Sequence, residues 1–265
     1  MTTLLRIRRT IALLAIALLV AANARADEIR VMTSGAFTAA YLELVPVFEK
    51  QTGHKIISSF GASLGNAPDS IPMRLQRGEP VDLVILADAA LEDLIAQGKI
   101  RRGSRVDLVR STIGLAVRAG APKPDISTVA ALTRTLLDAK SIAYSASASG
   151  VYVSTELFQR LGIADRVAAK SRRIESERVG TVVARGDAEI GFQQVSELLP
   201  IAGITYLGPL PEEVQRVTVF SAGIAANSKS PDAARALVAF LQSPAAASVI
   251  TKTGLEPLAL QRTAR

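Results

Sequence analysis

The chain has 265 residues, enough for one large domain or two lobes with their own hydrophobic cores. It has no cysteine and one histidine, His54, which excludes disulfides, thiol nucleophiles and metal sites built from cysteines or from two histidines. The formal charge of +7 falls to +3 without the four arginines of residues 1–26, too mild a charge to indicate nucleic-acid binding.

The N-terminal segment has the pattern of a cleavable export signal. Three arginines precede an apolar run over residues 11–22, and Ala24-Arg25-Ala26 provides the small residues that a signal peptidase recognises. A transmembrane anchor is the alternative, but the run is shorter than the roughly 20 residues needed to cross a bilayer. We therefore predict a signal peptide over residues 1–26 and a periplasmic protein; the Arg8-Arg9 pair leaves open whether export uses the general or the twin-arginine route.

The next part of the chain alternates short apolar runs with amphipathic patterns. The runs predict strands at residues 29–32, 55–60 and 82–86. Helical spacing predicts helices at residues 37–50, in a segment ending near Gly78, and at residues 91–97. Such a series of strand–helix units is typical of a parallel sheet that is covered on both faces.

An extended segment over residues 106–117 predicts a crossing into a second lobe. There, and on the way back, we predict strands at residues 141–144, 189–192, 204–207 and 217–225. The predicted helices cover residues 126–139, 150–161, 179–185, 231–241 and 244–251. The expected fold is thus α/β, with two doubly wound lobes joined by a two-segment hinge: lobe I over residues 27–110 and 208–265, and lobe II over 111–207.

Four segments place small or hydroxyl residues between the end of a strand and the start of a helix. They are Thr33–Gly35, Gly61–Gly65, Ser147–Gly150 and Arg178–Gly180. Ligands of doubly wound sheets bind at these strand ends, and free N–H groups at a helix start attract anions. Any one segment could simply be a capping turn. Four together favour a shared site for a small anion.

Several motifs resemble the molybdate-binding type of periplasmic solute-binding protein. They are Ser34 before a helix, the Phe60–Ser63 turn, Gly78–Asp82, Ser149–Tyr152 and Gly186–Phe192. The resemblance covers nearly the whole chain after residue 28. It implies the type II periplasmic binding protein architecture and delivery of an anion to an ABC-type permease. By position it implies that Ser34, Ser63, Ser149 or Gly150, and Val179 line the ligand cleft. Gly35 and Tyr152, in the same segments, are further candidate ligand-binding residues, and we expect a monomer without cofactor or metal.

The chain departs from that family in two places. Gln193-Gln194 stand where the family has a tyrosine, and the segment between Phe60 and Asp82 is longer and contains Arg74. Because an arginine fork matches the plane of a carboxylate, Arg74 and Arg178 are candidates for binding carboxylates, together with the two glutamines. Arg74 could equally lie on a solvated helix face. The ligand therefore stays open between an oxyanion and a di- or tricarboxylate.

Two functions fit these patterns. The first is capture of a small anion for ABC-type uptake, without chemistry. The alternative is an isomerase of a tricarboxylic acid on the same scaffold, as in aconitate isomerase, which the chain also resembles. Moving a double bond along a tricarboxylate needs a base. His54 falls in a predicted exposed turn, so the candidate bases are Tyr41, Tyr152, Glu177 or a serine.

Overall fold

The computed structural model describes residues 26–258, so the predicted signal peptide lies, except for Ala26, outside the described residues. The strands are β1 Glu28–Thr33, β2 Lys55–Phe60, β3 Leu83–Ala87, β4 Val106–Ser111, β5 Ile113–Arg118, β6 Ile142–Ser145, β7 Ser171–Ile174, β8 Ile190–Gln194, β9 Ile204–Pro209, β10 Thr218–Ile224 and β11 Glu256–Pro257. They form two separate sheets.

Helices cover these sheets. They are α1 Gly35–Thr52, α2 Ile71–Gln76, α3 Asp88–Ala96, α4 Val129–Asp138, α5 Ala148–Tyr152, α6 Phe158–Arg160, α7 Ala164–Ala168, α8 Val179–Arg185, α9 Val195–Leu198, α10 Pro231–Leu241 and α11 Pro244–Lys252. A π-helical segment, Val153–Leu157, joins α5 to α6, and a 3₁₀ turn, Glu212–Val214, precedes β10.

The first sheet has the strand order β11-β4-β10-β3-β1-β2. Strand β1 runs parallel to β2 and β3, and β10 is antiparallel to β3 and β4. Alternate residues of β3 point to opposite faces: Ile85 packs in the core under α1 and α10, and Leu86 packs under α2 and α3. Both faces are therefore buried, which explains why β3 is apolar throughout.

The second sheet has the order β7-β6-β8-β5-β9. Strand β6 is parallel to β7 and β8, and β5 is antiparallel to β8 and β9. One face packs against α4, the π-helical segment and α6, with Leu132, Val153 and Phe158 in its core. The other face packs against α8 through Val182 and Val183. This sheet is also covered on both sides.

The chain changes sheet twice, at Thr112 between β4 and β5 and again between β9 and β10. The predicted α/β class with two helix-covered sheets is confirmed, while the lobe boundaries stay a prediction. Helix 150–161 was expected to be continuous, but it contains the π-helical segment. Strand β7 was not predicted, because Ser171-Arg172-Arg173 at the sheet edge has no apolar alternation.

Within residues 26–258 no single helix is long and apolar enough to cross a membrane. The bent pair α10–α11 reaches that length and composition when taken together. Leu237 and Ile250, one from each helix, are buried in the core of the first sheet.

Candidate functional site

A cavity of about 380 Å³ lies between the two sheets. It is bordered by the segments that follow β1 and β2 of the first sheet and β6, β7 and β8 of the second sheet. These are the carboxyl ends of parallel strands, where ligands of doubly wound sheets bind. The four predicted segments therefore contribute to one cavity.

Most of the predicted ligand-binding residues border this cavity: Ser34, Gly35, Ser63, Ser149, Arg178, Gln193 and Gln194. Ser34, Ser63 and Ser149 come from three different strand ends and share the cavity, as the anion-site hypothesis requires.

The other four predicted residues lie outside the cavity lining. Arg74 donates from Nη1 to Glu79 Oε2 at 2.8 Å and from Nε to the carbonyl of Asp69 at 3.0 Å, so its fork is already engaged. The Tyr152 hydroxyl donates to the carbonyl of Val214 at 2.6 Å. Val179 is buried in the core beneath α8. Gly150 packs against β6, where a Cβ would overlap the carbonyl of Ser145.

The first-sheet side of the cavity offers uncharged donors. Ser34 is almost fully buried at the start of α1, and its hydroxyl has no hydrogen-bond partner among the described residues. The Ser63 hydroxyl accepts from the backbone N–H of Ala87 at 3.0 Å. The first N–H groups of α1 lack partners within the helix and carry the positive end of its dipole. This side suits an anion.

Direct hydrogen bonds connect the two sides around the cavity. The backbone N–H of Ser63 donates to Ser147 Oγ at 3.2 Å. Ser176 Oγ donates to Asp69 Oδ1 at 3.1 Å. In both pairs one partner follows a first-sheet strand and the other follows a second-sheet strand, so these contacts link the two sides next to the cavity.

Most charged side chains that border the cavity come from second-sheet segments: Glu175, Glu177, Arg178 and Glu197. Arg178, at the start of α8, borders the cavity and makes no ion pair within the described part of the chain. Gln193 and Gln194 are buried at the end of β8. The Gln194 side chain donates to Thr218 Oγ1 at 3.3 Å, and its oxygen is left without a partner among residues 26–258.

Three of the candidate bases, the two tyrosines and Glu177, are poorly suited to proton transfer in this cavity, and a serine stays an untested alternative. Burial raises the pKa of Tyr41 to about 12, and its hydroxyl pairs with Ser58 Oγ at 2.7 Å outside the lining. Tyr152 is engaged with Val214. Glu177 borders the cavity, but its hydrogen bonds with Arg185 lower its pKa.

The sequence analysis missed one acid, Glu197, which borders the cavity from α9. Gln193 Nε2 donates to its Oε1 at 2.9 Å. Burial raises the pKa of Glu197 to about 7, against the opposing effects of the Arg178 charge and the Gln193 hydrogen bond. Its place in the first turn of the helix after Gln193-Gln194 was visible in the sequence, but it does not distinguish Glu197 from an exposed helix acid.

Gly35 makes room for this acid. A Cβ at residue 35 would overlap Oε1 of Glu197, so the carboxyl group lies against the first turn of α1. Among residues 26–258 no three histidine or carboxylate side chains come together as a metal site. The arrangement can therefore hold an anion beside an acid that exchanges its proton near neutral pH.

Comparison with known proteins identifies a family and several relatives. A family model described as "Bacterial extracellular solute-binding protein" matches residues 29–256. Aconitate isomerase from a Pseudomonas species is 46% identical over 231 residues, which are 87% of this chain and 88% of that protein. The molybdate-binding protein ModA of Azotobacter vinelandii is 29% identical over 246 residues, which are 89% of this chain and 92% of that protein.

A solved structure shares the fold. The periplasmic molybdate-binding protein of Azotobacter vinelandii superposes with a TM-score of 0.68 at 24% identity, covering 86% of this chain and 98% of that one. The resemblance to the molybdate-binding type, expected from the sequence motifs, is confirmed. The chain belongs to the bacterial extracellular solute-binding protein family.

Proposed function

We propose that this protein binds an unsaturated tricarboxylate of the aconitate class in the cavity and moves its double bond. One observation carries the proposal: the cavity that presents donors for an anion also contains Glu197, whose pKa is raised to about 7. A carboxyl group repels an anion once it ionises, so it would weaken a site used for capture alone. Isomerisation by proton transfer, in contrast, requires a group that can accept and release a proton near the working pH.

Arg178, Ser34 and the start of α1 suit a ligand with several carboxylates. Arg178 can hold one carboxylate with its planar fork. The free hydroxyl of Ser34 and the N–H groups at the start of α1 can receive another. The cavity volume of about 380 Å³ falls within the range of roughly 300–1,000 Å³ that is typical of small-molecule sites. The 46% identity to an aconitate isomerase supports the same substrate class.

Capture without chemistry is the second candidate function. It is favoured by the family match and by the uncharged donors of Ser34 and Ser63, which suit an oxyanion. In this case the protein would be a periplasmic monomer that delivers its anion to an ABC-type permease. Both candidates use the same cavity.

The test mixes the protein purified from the periplasm with cis-aconitate or trans-aconitate and follows the ultraviolet spectrum and the proton NMR signals of both isomers. Conversion in both directions to one equilibrium ratio is the expected result. Thermal melts with molybdate, tungstate, sulfate and tricarboxylates run in parallel. Strong stabilisation by molybdate with no conversion of aconitate would refute the isomerase and favour capture.

A further inference from the structure

We propose that Glu197 is the acid–base residue of this site, taking a proton from one end of the substrate's three-carbon unit and returning it to the other end. The inference rests on the proposed isomerase function and extends it to one residue. Glu197 borders the cavity from the first turn of α9, directly after the strand end that carries Gln193 and Gln194.

The proton balance needs no co-reactant. Aconitate has a methylene carbon and a vinyl carbon on either side of a central carbon, and each of the outer carbons bears a carboxylate. When Glu197 removes a methylene proton, that C–H bond breaks and the electron pair spreads over the three carbons. Return of the proton to the former vinyl carbon forms the new C–H bond and shifts the double bond. Glu197 ends in the protonation state in which it began.

Two neighbours hold the carboxyl group in place. Gln193 Nε2 donates to Glu197 Oε1 at 2.9 Å, and the side-chain oxygen Oε1 of Gln193 accepts from the backbone N–H of Gly180 at 3.4 Å, which orients the amide. Glu197 Oε1 also lies against Gly35, where a Cβ would displace it. We assign Gln193 and Gly35 as positioning residues.

The charges around Glu197 are few. Arg178 is the cation whose charge acts on it, and β8 contributes the neutral amide of Gln193. Helix α1 presents Gly35 and its N-terminal end, and β5 packs Gly114 against Val195 of α9. The other acids that border the cavity are Asp69, Glu175 and Glu177.

This environment suits the Glu197 carboxyl group to proton transfer. Burial raises the pKa of Glu197 to about 7, close to the operating pH, where a single group can both accept and release a proton. The carboxylate form is the base, so kcat/KM should rise with pH through the pKa of the free protein.

The decisive variant is Glu197→Gln, which keeps the shape of the side chain and removes its titration. We expect kcat to fall by about 10²–10⁴-fold, the usual contribution of an acid–base residue. Stabilisation by tricarboxylates in a thermal melt should persist. In deuterium oxide the wild type should place deuterium on the substrate's outer carbons, and the variant should not. Glu212→Gln, an exposed acid outside the cavity lining, is the matched control with unchanged turnover.

A second variant keeps the inference testable if Glu197→Gln fails to fold. Gln193→Met removes a hydrogen bond that favours the carboxylate, so the pKa of Glu197 should rise and the acid limb of kcat/KM should move to higher pH. Wild-type turnover by Glu197→Gln, or an unmoved pH profile in Gln193→Met, would overturn the role of Glu197 alone. A wild type that converts no aconitate would instead overturn the isomerase function, and with it this inference.

Discussion

The two sides of the cavity differ in kind. The first-sheet side presents uncharged donors at Ser34, Ser63 and the N-terminal turn of α1, and one acid, Asp69, among the lining residues. The second-sheet side presents Arg178 and Glu197. Neutral donors on one side suffice to hold an anion, whereas a guanidinium and a titrating carboxyl group on the other can bind carboxylates and move a proton.

In the proposed function, the first-sheet side binds the anion and the second-sheet side adds the group that transfers the proton. The first-sheet side offers uncharged donors, which suit the capture of a small anion. The second-sheet side contains Gln193-Gln194 and leads directly to Glu197. Variants on the first-sheet side should therefore lose affinity alone, whereas those on the second-sheet side should lose affinity at Arg178, chemistry at Glu197 or stability at Gly150.

The largest effect on stability is expected from Gly150→Ala on the second-sheet side. Its Cβ would overlap backbone atoms of Ser145, which cannot move without shifting β6. We expect a loss of about 3 kcal/mol in the free energy of unfolding, measured by urea denaturation. Gly35→Ala is the matched control on the first-sheet side: its Cβ meets the end of the Glu197 side chain, which can rotate away. A smaller loss for Gly150→Ala than for Gly35→Ala would contradict the distinction.

The next largest effect is the change of the free energy of unfolding with pH. The folded pKa of Glu197 is raised from 4.5 to about 7, so the folded state binds the proton more tightly than the unfolded state does. The penalty for ionising Glu197 therefore grows as pH rises from 4.5 to 7 and is complete above pH 7. Allowing for the part of the side chain that reaches the cavity, it amounts to about 2 kcal/mol.

Glu197→Gln lacks this penalty. Relative to wild type, its free energy of unfolding should increase between pH 4.5 and 8, as measured by urea denaturation at several pH values. Equal pH dependence in both proteins would mean that Glu197 is not held with a raised pKa. A Glu177→Gln variant provides the contrast, because the Arg185 pair lowers the pKa of Glu177 and gives the opposite sign.

A third comparison sets the two candidate arginines against each other. Arg178→Met should weaken tricarboxylate binding by about tenfold, because a charge-assisted hydrogen bond at a partly exposed site is worth somewhat over 1 kcal/mol. Arg74→Met should leave the affinity unchanged, since its fork is engaged by Glu79 and Asp69 outside the cavity. Isothermal calorimetry with trans-aconitate measures both. Equal losses would refute the assignment of the carboxylate contact to Arg178.

The sequence predicted the fold well because apolar periodicity reports directly on which faces are buried. Strand β2 and helices α8 and α10 were predicted with the bounds that the structure has. The serine-rich segments were also informative, because parallel strands bring their carboxyl ends to one edge. Elements as short as α9, with four residues, give no periodic signal, and β7 is too polar to show one.

The acid of the site was harder to predict. Nothing in the local pattern separates Glu197 from an exposed helix acid, because its pKa depends on burial against α1, more than 140 positions earlier in the chain. Arg74 and Arg178 looked alike for a related reason. Only the tertiary structure shows that Glu79 and Asp69 engage the first, while the second borders the cavity.

The smallest effect is expected from Ser34→Ala on the first-sheet side. The Ser34 hydroxyl is buried without a partner among the described residues, so its removal should cost no stability, and thermal melts without ligand should be unchanged or slightly raised. Loss of one donor to a bound anion should weaken tricarboxylate binding about fivefold, the scale of one hydrogen bond. Ser171→Ala removes a similarly unpartnered hydroxyl at the far end of β7, away from the cavity, and should leave affinity intact. Equal affinity in both variants would mean that Ser34 does not contact the ligand, and that the first-sheet side holds the anion through backbone N–H groups alone.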